Sequence, residues 1–124
     1  MCGIAGWVGP SDPQILHAML QTLHHRGPDE TGQWADDKAG LGISRLSIMD
    51  VRNGHQPVFT SDRRVVAVFN GEIYNFQELA KRIRSRGVQL TSSSDAEVIP
   101  HLYEEFGDDF IHHLRGMFAI AIWD

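Results

Sequence analysis

The sequence predicts an α+β chain, and three observations carry that expectation. Apolar and β-branched runs follow one another over residues 32–70 with Gly, Asn and Asp between them, which suits successive strands. Stretches with apolar residues at helical spacing stand before and after that block. Residues that cap helices lie at the start of those stretches.

CGIAGWV, residues 2–8, is short and apolar and runs into Gly9-Pro10, so it reads as a buried strand closed by a turn. Ser11 and Asp12 offer caps, and Pro13 offers the fixed φ of a first helical turn. Leu16, Met19, Leu20 and Leu23 then recur on one face. That helix ends ahead of HHRGPDE (24–30), a polar loop centred on Gly-Pro. Strands are expected at GQWAD (32–36), GLGISRLSI (40–48), PVFT (57–60) and VVAVFN (65–70).

Asn75 can cap a second helix, with Glu78 three residues on to complete a capping box. Phe76, Leu79, Ala80 and Ile83 supply its buried stripe, and Gly87 stops it. A second box, Ser94 with Glu97, opens a third helix with Ile99, Leu102, Tyr103 and Phe106 on one face. Pro100 lies inside that pattern, where it has no donor and crowds the carbonyl four residues back. A kink is expected there, or a helix that begins later than the box. DDFIHHLRG reads as one more short helix, and MFAIAIW (117–123) as a buried strand. An apolar strand so near Asp124 would leave a hydrophobic sheet edge uncovered, so the expectation is a domain truncated at its C-terminus.

The chain has 124 residues, enough for one domain, with 42% hydrophobic residues. A net charge of -5 argues against a nucleic-acid partner, which would select a basic face. The single cysteine leaves no internal disulfide. Nothing approaches the roughly 20 apolar residues that cross a bilayer, and the N-terminus is no secretory signal. The expectation is a cytoplasmic protein with no membrane partner.

The lone cysteine follows the initiator methionine, ahead of an apolar run. Removal of Met1 would give Cys2 a free α-amine, with an ordinary pKa of about 7.7–8.0 beside a thiol near about 8.5. An N-terminal amine that activates its own residue's nucleophile is an established device, here through a bridging water. The other reading is a small hydrophobe that starts a strand. Asn70-Gly71 follows VVAVF. By itself the pair reads as a hairpin turn. Beside a nucleophile it offers a side-chain amide and a backbone N–H to an oxyanion. Arg45 sits in an apolar segment, where a guanidinium needs a carboxylate. Asp95 stands at a helix start, favoured there by the helix dipole, and Glu72 follows the Asn-Gly pair. Each fits capping or surface duty alone. Together, an arginine and two acids would hold an amino acid by its carboxylate and ammonium.

CGIAGWVG, HHRGPDE, RLSIMDVRNGHQPVF, FNGEIYNFQEL, SSSDAEVI and LRGMFAIAIWD occur in the order seen in class II glutamine amidotransferase domains. RGPDE, RLSI and NGEIYN resemble most the N-terminal glutaminase domain of glutamine-hydrolysing asparagine synthetases. The likeness covers residues 1–124, read as one glutamine amidotransferase type 2 domain without its synthetase domain. It implies the four-layer αββα sandwich of N-terminal nucleophile hydrolases. It also implies that Cys2 is the nucleophile and that Asn70 and Gly71 form the oxyanion hole. By the same resemblance Arg45 binds the glutamine carboxylate, Glu72 and Asp95 hold its ammonium, and backbone near Ile48 completes the pocket. The partners implied are L-glutamine and an ammonia-accepting synthetase domain, and a homodimer is compatible with it. The glutaminase half needs no cofactor or metal, whereas ATP and Mg belong to the synthetase domain, whose acceptor is best taken as aspartate.

Two other chemistries have little behind them. A Cys–His hydrolase would draw on the 7 histidines, but none falls in a pairing motif. A metal site lacks an H-x-x-x-H or cysteine cluster, and His17, His55 and His101 stand alone. The remaining alternatives are the glutaminase half of another amide-forming relative, and a chain that binds glutamine, or only folds, without turnover.

Overall fold

A computed structural model describes residues 1–10, 12–48, 50 and 52–124. The strands are β1 (Gly3–Val8), β2 (Glu30–Ala35), β3 (Ala39–Arg45), β4 (Val58–Phe59), β5 (Val66–Ile73) and β6 (Gly116–Trp123). The helices are α1 (Pro13–Thr22), α2 (Phe76–Ser85) and α3 (Val98–Phe106). Single 3-10 segments occupy His24–Arg26, Asp95–Glu97 and Gly107–His113. Among the described residues the strands form two three-stranded antiparallel sheets, ordered β1-β3-β2 and β4-β5-β6. None of the described helices is long and apolar enough to cross a membrane.

The alternation of side chains along the two central strands creates the layers. On β3, Leu41 and Ile43 meet Val66 and Val68 of β5 in the apolar seam between the sheets, with Ile4, Trp34 and Trp123 around them. Gly42 and Ser44 face the other way, toward α1. A Cβ on Gly42 would lie 2.6 Å from Leu20 Cδ1, so a bare backbone lets the helix sit down on the strand. Ser44 Oγ donates to the Leu20 carbonyl at 2.9 Å, a second donor beside the Leu23 N–H at 3.0 Å, and so ties the helix end to the strand. On β5, Ala67, Phe69 and Ile73 pack instead against Leu79, Ala80 and Ile83 of α2 and Ile99 and Leu102 of α3. The order of layers is helix, sheet, sheet, helices: the αββα sandwich the resemblance implies.

Most elements fall where periodicity put them, and the departures have local causes. Asp12 caps α1 by accepting from Gln14 N at 2.9 Å, with Pro13 as its first residue. Ser11, the other cap expected, lies outside the described residues. β1 and β6 are half-exposed rather than buried, Val8 by 79%, because each is an edge strand of its sheet. β3 ends at Arg45 instead of Ile48. The next amide, of Leu46, points at the Cys2 sulfur, and that of Ser47 donates to Asp29 Oδ2 at 2.9 Å. β5 runs on through Asn70-Gly71 to Ile73, so the pair is no hairpin turn.

The capping box at Asn75 does not form. Its side chain donates from Nδ2 to the His113 carbonyl and accepts from Arg115 N, both at 2.9 Å, and makes no hydrogen bond to the helix. The second box forms by half. Ser94 Oγ accepts from Ala96 N at 3.3 Å, while Glu97 turns to Thr91 and Ser92. A 3-10 turn fills Asp95–Glu97, and α3 begins at Val98. That places Pro100 in the first turn, where its missing N–H costs no hydrogen bond.

Candidate active site

The ladder between β1 and β3 pairs Gly3 with Ser44 and then opens. Cys2 lies in that opening. Leu46 N approaches its Sγ at 3.3 Å, and Sγ lies 3.7 Å from the Leu46 carbonyl. Arg26 Nε donates to the Cys2 carbonyl at 3.0 Å, so the residue is held from both the next strand and the loop after α1. The sulfur borders a cavity of about 310 Å³, at the small end of the range for small-molecule sites. Met1, 70% exposed, sits at the same mouth. While it is attached, the Cys2 nitrogen is an amide and cannot take up a proton.

Every site residue expected from the sequence lines this one cavity: Cys2, Arg45, Ile48, Asn70, Gly71, Glu72 and Asp95. Asn70 shares its β5 face with Val66 and Val68, so the alternation that builds the inter-sheet seam brings its amide to the end of that seam. Gly71 is at φ +152°, and a Cβ there would lie 2.1 Å from the Met117 carbonyl of β6. Only glycine suits that backbone at that distance. Ile48 is 70% exposed, so its side chain stands at the rim.

The charged groups are held before any ligand arrives. Arg45 is 4% exposed and faces Glu30 across the β2–β3 register, Nη1 donating to Glu30 Oε2 at 2.8 Å. Glu30 Oε1 lies 2.7 Å from His55 Nδ1. Burial works to raise the Glu30 carboxyl, but the hydrogen bonds and charges of Arg45 and His55 outweigh it and hold it below the usual range. Asp95 is also 4% exposed, and its Oδ2 accepts from Ile73 N at 2.9 Å. Here burial prevails. It pushes the Asp95 carboxyl up, against backbone hydrogen bonds from Ile73 and Ala96 and with the charge of Glu72 adding to the rise. The cavity lining therefore combines a buried arginine, Arg45, already paired with Glu30, with two acids, Asp95 and Glu72.

Sequence reasoning missed several residues that build this arrangement. Arg26 and Asp29 stand in HHRGPDE, a loop more polar than a turn needs, and that excess was the available signal. Gln56 continues the sheet with its side chain: Oε1 accepts from Phe69 N at 2.7 Å and Nε2 donates to Phe69 O at 3.1 Å. Nothing local to Gln56 announces that. Among the described lining residues there is no histidine and no lysine.

Two antiparallel sheets between helical layers, with the Cys2 thiol at the open end of the inner seam, are the architecture of a class II glutamine amidotransferase domain. The chain belongs to that family: the family model described as "Glutamine amidotransferase domain" matches residues 1–124. Among curated relatives, asparagine synthetase (glutamine-hydrolyzing) 2 of Bacillus subtilis is 43% identical over 131 residues, covering 100% of this chain and 17% of that protein. Asparagine synthetase (glutamine-hydrolyzing) 3 of the same organism is 39% identical over 132 residues, covering 100% of this chain and 21% of that protein. Asparagine synthetase (glutamine-hydrolyzing) 1 of Arabidopsis thaliana is 40% identical over 130 residues, with 100% and 22% covered. The chain thus spans about a fifth of the length of these relatives. Among solved structures, glutamine phosphoribosylpyrophosphate amidotransferase from B. subtilis shares the fold, with a TM-score of 0.81 at 22% identity over 99% of this chain and 35% of that one.

Proposed function

We propose that these residues hydrolyse L-glutamine to L-glutamate and ammonia. The observation that carries the reading is the meeting, in the lining of one cavity of about 310 Å³, of the lone thiol, Asn70 and Gly71, Arg45 and the two acids Glu72 and Asp95. Arg45 takes the glutamine carboxylate, and Glu72 with Asp95 takes its ammonium. Once Met1 is gone, the Cys2 thiolate attacks the side-chain amide carbon while the thiol proton passes to the α-amine. The Asn70 amide and Gly71 N–H receive the oxyanion. The carbon–nitrogen bond breaks as the α-ammonium returns a proton to departing ammonia, leaving a glutamyl thioester. Water, deprotonated by the same amine, then cleaves the carbon–sulfur bond and regenerates the thiol. The absence of an imidazole among the described lining residues supports the amine as base. Free asparagine is one methylene too short to reach the sulfur from the clamp.

The likeness to the synthetases supports a wider context, in which the ammonia passes to an ATP-dependent domain that amidates aspartate. ATP and magnesium belong to that domain, and no step in this cavity runs through either. Among the described residues no three His, Cys, Asp or Glu side chains converge as a metal site. The single cysteine fits a cytoplasmic protein.

Replacing the sulfur tests the reading. Cys2→Ala should abolish glutamate release, by more than about 10³-fold, while calorimetry still detects glutamine binding. Ordinary turnover in that variant would remove Cys2 from the mechanism. Loss of binding as well as turnover would refute a clamp formed by Arg45 and the acids.

A further inference from the structure

The two arms of the proposed clamp come from different layers. Arg45 ends β3 in the first sheet, whereas Asp95 opens the turn before α3, outside the second. Among the described residues no strand pairing joins the two sheets. The gap between the arms depends on what ties the loop after β3 to the loop before α3. Asp50 makes such a tie. Its carbonyl accepts from Arg45 Nη2 at 3.2 Å. Its Oδ2 accepts from Ser93 N at 2.9 Å and from Ser93 Oγ at 3.1 Å, two residues short of Asp95. Oδ1 accepts from Asn53 N at 3.2 Å, and the Asp50 carbonyl also accepts from Gly54 N at 2.8 Å, which closes the turn on itself.

We infer that Asp50 is a positioning residue that sets the distance between Arg45 and Asp95, and so the affinity for the amino-acid head of glutamine, without touching the reacting amide. The inference rests on the glutaminase reading above. The side chain only accepts hydrogen bonds here, which suits a carboxylate and not an amide. An Asn at this position would have to turn an NH₂ toward the donors of Ser93 or of Asn53. The Ser93 amide foremost, helped by Asn53, holds the Asp50 carboxyl below the usual carboxylate range.

The backbone supplies the control. Asp50 has φ +40°, a conformation that Asn and Gly adopt as readily as Asp. Asp50→Gly removes both carboxylate oxygens and Asp50→Asn removes the charge, yet neither strains the chain. Asp50→Asn keeps one oxygen for the Asn53 amide, so a role confined to the turn would survive that change, and Asp50→Gly shows the effect of losing both sets of bonds. A role in the tie would survive neither.

The test follows glutamate release against glutamine concentration in the intact protein with Met1 removed, comparing the parent with Asp50→Asn, Asp50→Gly and Ser93→Ala. A hydrogen bond to a charged group corresponds to about a tenfold change in affinity, so KM should rise about tenfold in both Asp50 variants. Ser93→Ala keeps the amide donor and should raise KM only about threefold, with kcat in all three within about twofold of the parent. Glutamine titrated into the same variants carrying Cys2→Ala should weaken in the same order. An unchanged KM in both Asp50 variants beside an active parent overturns the role of Asp50 alone, as does a loss confined to kcat or a KM rise seen in Asp50→Gly but in neither Asp50→Asn nor Ser93→Ala, which would belong to the turn. A parent that releases no glutamate overturns the glutaminase reading, and this inference with it.

Discussion

At the scale of single residues, the acidic end of the cavity is held against a cost. Asp95 is 4% exposed, and burial is the foremost influence on its carboxyl, with Glu72 adding like charge. The amide of Ile73 gives back only part of what water would supply. In the ligand-free protein the ionised form is therefore disfavoured. On the proposed reading a bound α-ammonium would remove the penalty, and relief of a carboxylate that is badly solvated beforehand would supply part of the affinity for glutamine. Asp95→Asn separates the two effects. The amide oxygen can still accept from Ile73 N, while the charge is gone. The melting temperature of the ligand-free variant should match or exceed the parent, by about 4 °C for each kcal/mol regained, and glutamine affinity should fall at least about tenfold. Scanning calorimetry and glutamine titration measure the two quantities. A variant less stable than the parent at neutral pH would show that the carboxylate is no burden to the fold.

At the scale of elements, a corner that the sequence signalled as a helix cap serves as a joint between distant segments. Asn75 stands where an N-cap belongs, but both arms of its amide go to the segment that leads into β6. Asn75→Ala should therefore destabilise the protein by about 1–2 kcal/mol, the net worth of two hydrogen bonds, whereas Glu78→Ala should stay within about 0.5 kcal/mol. Urea midpoints at an unchanged m-value would measure this, and equal losses in the two variants would mean that the capping box matters after all. The contrast also marks how far sequence reasoning reaches. Helical spacing found Leu16 and Leu20, Leu79 and Ile83, because burial on one face is a periodic demand written along the chain. Pro100 was legible as a delay of α3, because its steric rule is local. The partners of Asn75, the Gln56 amide that lengthens a strand, and the Leu46 amide that ends β3 at Cys2 were not, since each joins positions far apart in sequence. The site words were legible one by one as residue types. That they share a cavity follows from the layering, which brings the end of β3 and the middle of β5 together.

At the scale of the whole molecule, the response of stability to acid is set by groups outside the cavity as well as in it. His101, 7% exposed in α3, keeps a buried Nδ1 without a hydrogen-bond partner among the described residues. Burial pushes its pKa below 6.5, outweighing the charges of Glu104 and Glu97, while Arg86 and Glu105 border the same small cleft. The unfolded chain then takes up a proton near pH 6.5 that the folded one refuses, so stability falls as pH drops below that value. Glu97 acts lower down. Burial would raise its carboxyl, but donors from Ser92 and Thr91 prevail and hold it below 4.5, so the stability it contributes is present above that value and is lost as pH falls through its folded pKa. Asp95, raised in the fold, has the opposite sign and gains stability on protonation, so it softens the loss around pH 4 without touching the one near pH 6. Two limbs result, and they belong to different residues. His101→Leu replaces the orphaned nitrogen with an apolar side chain that does not titrate. The parent should lose a few degrees of melting temperature between about pH 7.5 and about pH 5.5, and His101→Leu should be flat over that interval. Below about pH 4.5 both should fall together as Glu97 and other carboxyls held low, Glu30 and Asp50 among them, protonate. A parent curve that is level down to pH 5 would show that the folded protein accommodates a charged imidazole in α3, and the upper limb would then have no source in His101.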